Sequence, residues 1–293
     1  MKNTLRQIGM IVAETALFIG ILALCYGVIG GALVYLKIVD ISEYSSSLEI
    51  EPYKAVLIDY LPLLIGSIIS ILVVHHLIFK RTLAFSGLDR SRIIRELMLG
   101  LGWSFLLIGL GFAILYLTGG LVIDQVDFIP RLFFGFLLFF IVQASVEEFM
   151  IRSFLLPTIA HRLNIPIAIF LTSFIFTILH GANPNVSFIS LMNIFIAGIL
   201  LGVLYIRYGR IWAPIGLHIG WNFFQGSFFG FEVSGLDVYS LIDSSETGHD
   251  LLTGGAFGFE GSIIASAFMI ACTFWFWRGA THKFQGRYLY SPL

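Results

Sequence analysis

The chain has 293 residues, of which 58% are hydrophobic and only 12% carry a charged side chain. Soluble globular proteins contain roughly 25% charged residues, so this composition excludes an ordinary soluble domain and predicts a protein with many membrane spans. The formal net charge of −1 gives no indication of a nucleic-acid partner, and the two cysteines lie in apolar runs that predict no disulfide framework.

Apolar runs long enough to cross a bilayer, about 20 residues each, occur eight times along the chain. They lie near residues 8–36, 55–79, 97–118, 131–160, 165–182, 187–206, 211–231 and 257–277. The first run is too long for the core of a cleaved signal peptide, so we expect it to remain as a membrane helix. The sequence therefore predicts an all-α fold, a polytopic membrane helix bundle of about eight transmembrane helices.

The distribution of charge predicts the orientation of this bundle. Most of the 17 Lys and Arg residues fall on one side of an eight-span topology, and the acidic loops fall on the other. Because basic loops stay in the cytoplasm, we expect both termini to be cytoplasmic and the protein to be a multi-pass protein of the cell membrane. Three acids within the spans, Glu14, Asp59 and Glu260, are expected to reach a membrane interface because they lie near predicted helix ends.

Glu147, Glu148 and Arg152 lie deep inside the fourth run. At about 1.5 Å per residue, Glu147 is roughly 24 Å from Arg131, which is beyond the reach of a side chain. A charge at such a depth costs roughly 2.5–3.5 kcal/mol, so an intramembrane ionisable cluster indicates a functional site. Glu148 and Arg152 are four residues apart and can form an ion pair, which leaves Glu147 to point elsewhere as a general base.

Two other runs carry polar side chains at a similar depth: His180 in the fifth, and His218 and Asn222 in the seventh. We expect His180 to share or orient a water molecule that Glu147 activates. His218 and Asn222 are four residues apart and can together stabilise an oxyanion. Together with Glu147, these three residues predict a hydrolase in which water attacks an amide carbonyl.

The same atoms allow two other interpretations. Glu147, His180 and His218 can bind zinc and leave one position for water, although the His-Glu-x-x-His signature of many zinc proteases is absent. A buried polar network that only ties helices together is the structural alternative. We expect metal-free water activation without a cofactor, with zinc as the alternative.

Three motifs in register resemble the CAAX prenyl endopeptidases and their bacterial relatives, the CPBP or Abi family, which includes lysostaphin-resistance-type proteins. The Glu-Glu-x-x-x-Arg motif is Glu147–Arg152, Phe-x-x-x-His is Phe176–His180, and His-x-x-x-Asn is His218–Asn222. The resemblance implies an intramembrane protease in which Glu147 activates water with help from His180. It further implies that His218 and Asn222 steady the oxyanion, and that Glu148 and Arg152 support the site.

The resemblance also suggests a division of the chain. Residues 1–125 are expected to hold the first three helices, residues 126–230 the protease-like catalytic core of helices four to seven, and residues 231–293 an outer acidic loop, the last helix and a cytoplasmic tail. The expected partners are the lipid bilayer and a protein or lipidated-peptide substrate. Two alternatives remain open: a non-catalytic immunity or scaffold protein with the same fold, and a transporter that relays protons.

Overall fold

The structure, a computed structural model, describes residues 2–36, 38 and 52–278. In this part of the chain, nine helices and one two-stranded sheet follow one another. The helices are α1 (Lys2–Tyr35), α2 (from Pro52 to Ile78), α3 (Ile93–Leu117), α4 (Pro130–Arg162), α5 (Ile165–Leu179), α6 (Phe188–Tyr208), α7 (Trp212–Phe223, continued by the π-helical stretch Phe224–Phe228), α8 (Asp250–Thr253) and α9 (Ile263–Trp277). The strands are β1 (Leu121–Val126) and β2 (Ile242–Glu246).

The predicted membrane helix bundle is confirmed. Each of the eight apolar runs coincides with a helix, and five helices are long and apolar enough to cross a membrane: α1, α2, α3, α4 and α6. The helices α5 and α9 are apolar but have only 15 residues each. The number of spans, the side on which the termini lie and the division into three parts stay predictions, and residues 39–51 and 279–293 lie outside the described residues.

The small sheet was not predicted. Strands β1 and β2 are antiparallel, with Leu121 opposite Glu246 and Val126 opposite Ile242. The sheet joins the segment between α3 and α4 to the segment between α7 and α9. The sequence gives little indication of it because both strands are short and their partners lie more than a hundred residues apart.

Helix α7 carries two of the predicted site residues and lies at the centre of the bundle, where every residue from Ala213 to Phe223 is buried. Its backbone touches that of α3. A Cβ atom added to Gly216 would lie 2.3 Å from the carbonyl oxygen of Leu97, and one added to Gly100 would lie 2.3 Å from the amide nitrogen of Leu217. Small residues at such crossings let membrane helices approach closely, and here they fix the position of α7.

The structure places Glu14 among protein side chains, and its expected position at a membrane interface stays a prediction. Glu14 is fully buried and accepts two hydrogen bonds from Arg81, at 2.7 and 2.9 Å, and further bonds from Arg162. These bonds tie α1 to the end of α4 and to the loop after α2. The opposite charges of the two arginines and the carboxylate offset the cost of removing them from water. A carboxylate buried alone among apolar helices would have no such compensation.

We predict that Gly216→Ala destabilises the bundle, because the added methyl group would collide with the α3 backbone at Leu97. Overpacking of this kind costs about 1–3 kcal/mol. The measurement is the thermal unfolding midpoint in detergent. Gly102→Ala is the matched control. Gly102 lies on α3, the helix that Gly216 contacts, and nothing lies within 4 Å of a Cβ atom added there. Equal midpoints for Gly216→Ala and the unmodified protein would contradict the close α3–α7 contact.

Candidate active site

Glu147 and Glu148 are adjacent on α4 but lie in different surroundings. They are the last two residues before the π-helical stretch Phe149–Leu155, a type of irregularity that is frequent at functional sites. Neighbouring helical residues point about 100° apart. The side chain of Glu148 is fully buried, whereas that of Glu147 is 24% exposed. The two carboxylates are therefore suited to different tasks.

Glu148 and Arg152 form the predicted ion pair. The Nη1 atom of Arg152 donates to Oε1 of Glu148 at 2.8 Å, and both side chains are fully buried. The guanidinium also lies 4.5 Å from the centre of the Phe176 ring, and its Nη2 atom is 3.4 Å from the carbonyl oxygen of Gly198 on α6. The pair thereby joins α4 to α5 and α6, and the two charges compensate each other away from water.

The same Glu148 carboxylate orients His218. The Nδ1–H group of His218 donates to Oε1 of Glu148 at 3.0 Å, because an ionised carboxylate can only accept. His180 is fixed in a similar way, since its Nδ1–H group donates to the carbonyl oxygen of Phe176 at 2.8 Å. In the neutral form of each ring, the proton is then on Nδ1 and the free acceptor is Nε2.

These two acceptors converge on Glu147. Its Oε2 atom lies 3.7 Å from Nε2 of His180 and 3.8 Å from Nε2 of His218. Oε2 is buried and has no hydrogen-bond partner among the described residues. These separations are too long for direct hydrogen bonds and short enough for one water molecule to bridge the atoms. Three acceptors around one space favour a molecule that brings its own protons, as water does.

Gln143 connects Glu147 to Asn222 on α7. Sequence reasoning missed this residue. Its Nε2 atom donates to Oε1 of Glu147, and its Oε1 atom accepts from Nδ2 of Asn222 at 3.0 Å. The first bond occupies Oε1 of Glu147, so that Oε2 remains for the two imidazoles. A signal existed in the sequence: Gln143 lies four residues before Glu147 and hence on the same helical face.

A cavity of about 270 Å³ opens beside these groups. Its lining is mainly apolar, with side chains such as Phe139, Leu200 and Met269, and it also includes Glu147, His180, His218 and Asn222. Such a cavity accommodates an apolar side chain in addition to water, as ligand sites generally do.

The structure brings all six predicted residues to one place. Glu147, His180 and His218 surround a common space, Glu148 and Arg152 lie behind His218, and Asn222 reaches Glu147 through Gln143. Glu260 also lines the cavity, and its expected position at a membrane interface stays a prediction.

The polar atoms around Glu147 lie slightly further apart than the ligands of a bound zinc ion. Tetrahedral zinc ligands with bonds of about 2.0–2.1 Å lie about 3.4 Å apart, whereas Oε2 of Glu147 is 3.7 and 3.8 Å from the two imidazole nitrogens. Within the described ranges, no group of three or more His, Cys, Asp or Glu residues is arranged to hold a metal ion.

Comparison with known protein families identifies the part of the chain that carries the site. Residues 129–224 match the family described as type II CAAX prenyl endopeptidase Rce1-like, and a comparison with curated proteins gave no match. The matched segment runs from the beginning of α4 to the end of α7 and contains all six predicted residues and Gln143. Residues 129–224 of this membrane protein are thus similar to the Rce1-like family of type II CAAX prenyl endopeptidases.

Proposed function

We propose that the protein is an intramembrane endopeptidase that hydrolyses a peptide bond by water activated between a glutamate and a histidine. The observation that carries this proposal is the buried, unpartnered Oε2 atom of Glu147 facing the Nε2 atoms of His180 and His218. A family of CAAX prenyl endopeptidases is consistent with that chemistry. The substrate would be a protein or lipidated peptide that reaches the cavity from the bilayer or its surface, and the proposed location is the cell membrane.

In this mechanism, a water molecule donates one hydrogen bond to Oε2 of Glu147 and the other to Nε2 of His180. As the water oxygen attacks the amide carbonyl carbon, its proton passes to Glu147. The tetrahedral intermediate then collapses, the C–N bond breaks, and Glu147 returns the proton to the leaving nitrogen. The result is one carboxylic acid and one amine from one water and one amide.

The developing oxyanion needs donors. Asn222 has one N–H bound to Gln143 and a second available for an oxyanion. His218 donates from Nε2 only as an imidazolium, because its Nδ1–H already serves Glu148. His218 can therefore join Asn222 as a donor only after its Nε2 atom has taken up a proton. Glu148 and Arg152 would act by orienting His218 and would not touch the substrate.

We predict that Glu147→Gln lowers kcat by about 10²–10⁴-fold, because the amide cannot take a proton from water. The assay is hydrolysis of farnesylated and unprenylated peptides by the purified protein. Glu246→Gln on β2, outside the cavity, is the matched control and should retain activity. Equal cleavage by Glu147→Gln and the unmodified protein would remove Glu147 from the mechanism. If a protein that hydrolyses no peptide still performs its role in the cell, the scaffold interpretation would be favoured.

We predict that Gln143→Ala lowers kcat by about 10-fold and changes KM much less, because Gln143 acts mainly by orienting Glu147 and Asn222. The diagnostic measurement is a double-mutant cycle with Glu147→Gln. If Gln143 acts through Glu147, the double variant should be no slower than Glu147→Gln alone. Multiplicative losses would show that Gln143 has a separate role.

The metal-free mechanism predicts activity without stoichiometric zinc. Elemental analysis of active protein should find far less than one zinc ion per chain, and treatment with a chelator should leave the rate unchanged. One zinc ion per chain, with activity lost on chelation and restored by zinc, would establish the metal alternative at Glu147, His180 and His218.

A further inference from the structure

The loop between α7 and α9 forms one wall of the cavity and lies outside the segment that matches the family. Val233, Ser234, Leu236 and Val238 line the cavity from this loop, and Glu260 lines it from the turn just before α9. The wall is therefore supplied by a part of the chain that the family domain does not include. A substrate preference particular to this protein is best sought there.

Glu260 is held rigidly in this wall. Its Oε1 atom accepts hydrogen bonds from both the backbone N–H and the hydroxyl of Ser234, each at 2.6 Å. The Nδ2 atom of Asn193 on α6 donates to the carbonyl oxygens of Glu260 and Ser262, each at 2.8 Å. Both hydrogen bonds that Ser234 donates to the carboxylate use Oε1, so Oε2 stays available to a group that enters the cavity.

The charge of the cavity favours a positive occupant. Glu147 and Glu260 both line it, whereas no Lys or Arg of the described ranges does. The nearest guanidinium of the site, that of Arg152, is fully buried and paired with Glu148. Apart from His180 and His218, an anionic group entering this space would meet two carboxylates and no basic side chain, while a cationic group would compensate the burial of a carboxylate.

We propose that Glu260 is a specificity determinant that selects apolar peptide segments carrying one Lys or Arg side chain close to the cleaved bond, and rejects those with an acidic side chain there. The proposal rests on the proposed peptidase function. The apolar lining receives the uncharged residues of the segment, and Oε2 of Glu260 accepts a charge-assisted hydrogen bond from the basic side chain. Preorganisation by Ser234 and Asn193 lowers the entropic cost of that contact.

The test uses three sets of peptides of one apolar sequence, in which a single Lys, norleucine or Glu is moved through the positions around the cleaved bond. For the unmodified protein, kcat/KM at the best position should be at least about 10-fold higher with Lys than with Glu. Glu260→Gln should reduce this ratio to about two-fold or less, since the amide retains the acceptor for Ser234 but loses the charge.

A control variant separates the charge of Glu260 from the charge of its loop. Glu232→Gln removes a carboxylate of the same loop that does not line the cavity, and this variant should keep the Lys preference. Equal cleavage of Lys and Glu peptides by the unmodified protein, or an unchanged ratio in Glu260→Gln, would overturn the role of Glu260 and leave the peptidase proposal intact.

Binding provides a readout that does not need turnover. In the Glu147→Gln background, the Lys peptide should bind about 10-fold more tightly than the Glu peptide, and adding Glu260→Gln should remove most of the difference. If no peptide is cleaved but this preference is observed, the peptidase function fails and the recognition site stands. Equal binding of both peptides overturns the recognition site.

Discussion

The site depends on one interaction, the fully buried ion pair between Glu148 and Arg152. A carboxylate at this depth in an apolar bundle would be costly alone, and the guanidinium four residues away compensates it. The compensated carboxylate can then accept the Nδ1–H group of His218. Through this contact and through the contacts of Arg152 with α5 and α6, one pair sets the relative positions of four helices.

The ion pair has a chemical consequence at the neighbouring residue. With Glu148 engaged, and with Gln143 bound to Oε1 of Glu147, a single carboxylate oxygen remains directed at two imidazole nitrogens. Both rings present Nε2 as an acceptor because their Nδ1 protons are already used. The arrangement therefore binds a proton donor such as water and leaves it beside an apolar cavity, where a general base has little competition from bulk solvent.

The sequence predicts the helices and the site better than the connections between helices. Apolar length identifies the bundle, and spacings of three or four residues place Glu148 with Arg152 and His218 with Asn222 on common faces. Gln143 lies within the reach of the same rule and was overlooked because it is uncharged. The contacts of Glu14 with two arginines and of Glu260 with Ser234 were not predicted, since distance from a helix end does not reveal which segments fold against a side chain. The β1–β2 sheet and the wall around Ser234 depend on contacts between distant segments, which local patterns do not encode.

In the proposed mechanism, Glu147 and His180 hold one water molecule between them beside His218. An experimental structure of the protein in lipid, at a resolution that reveals ordered water, would locate this molecule. We expect a single water within about 3.2 Å of Oε2 of Glu147 and of Nε2 of His180. A Glu147 side chain turned toward lipid, or imidazole nitrogens too far from Oε2 for one water to bridge, would contradict it.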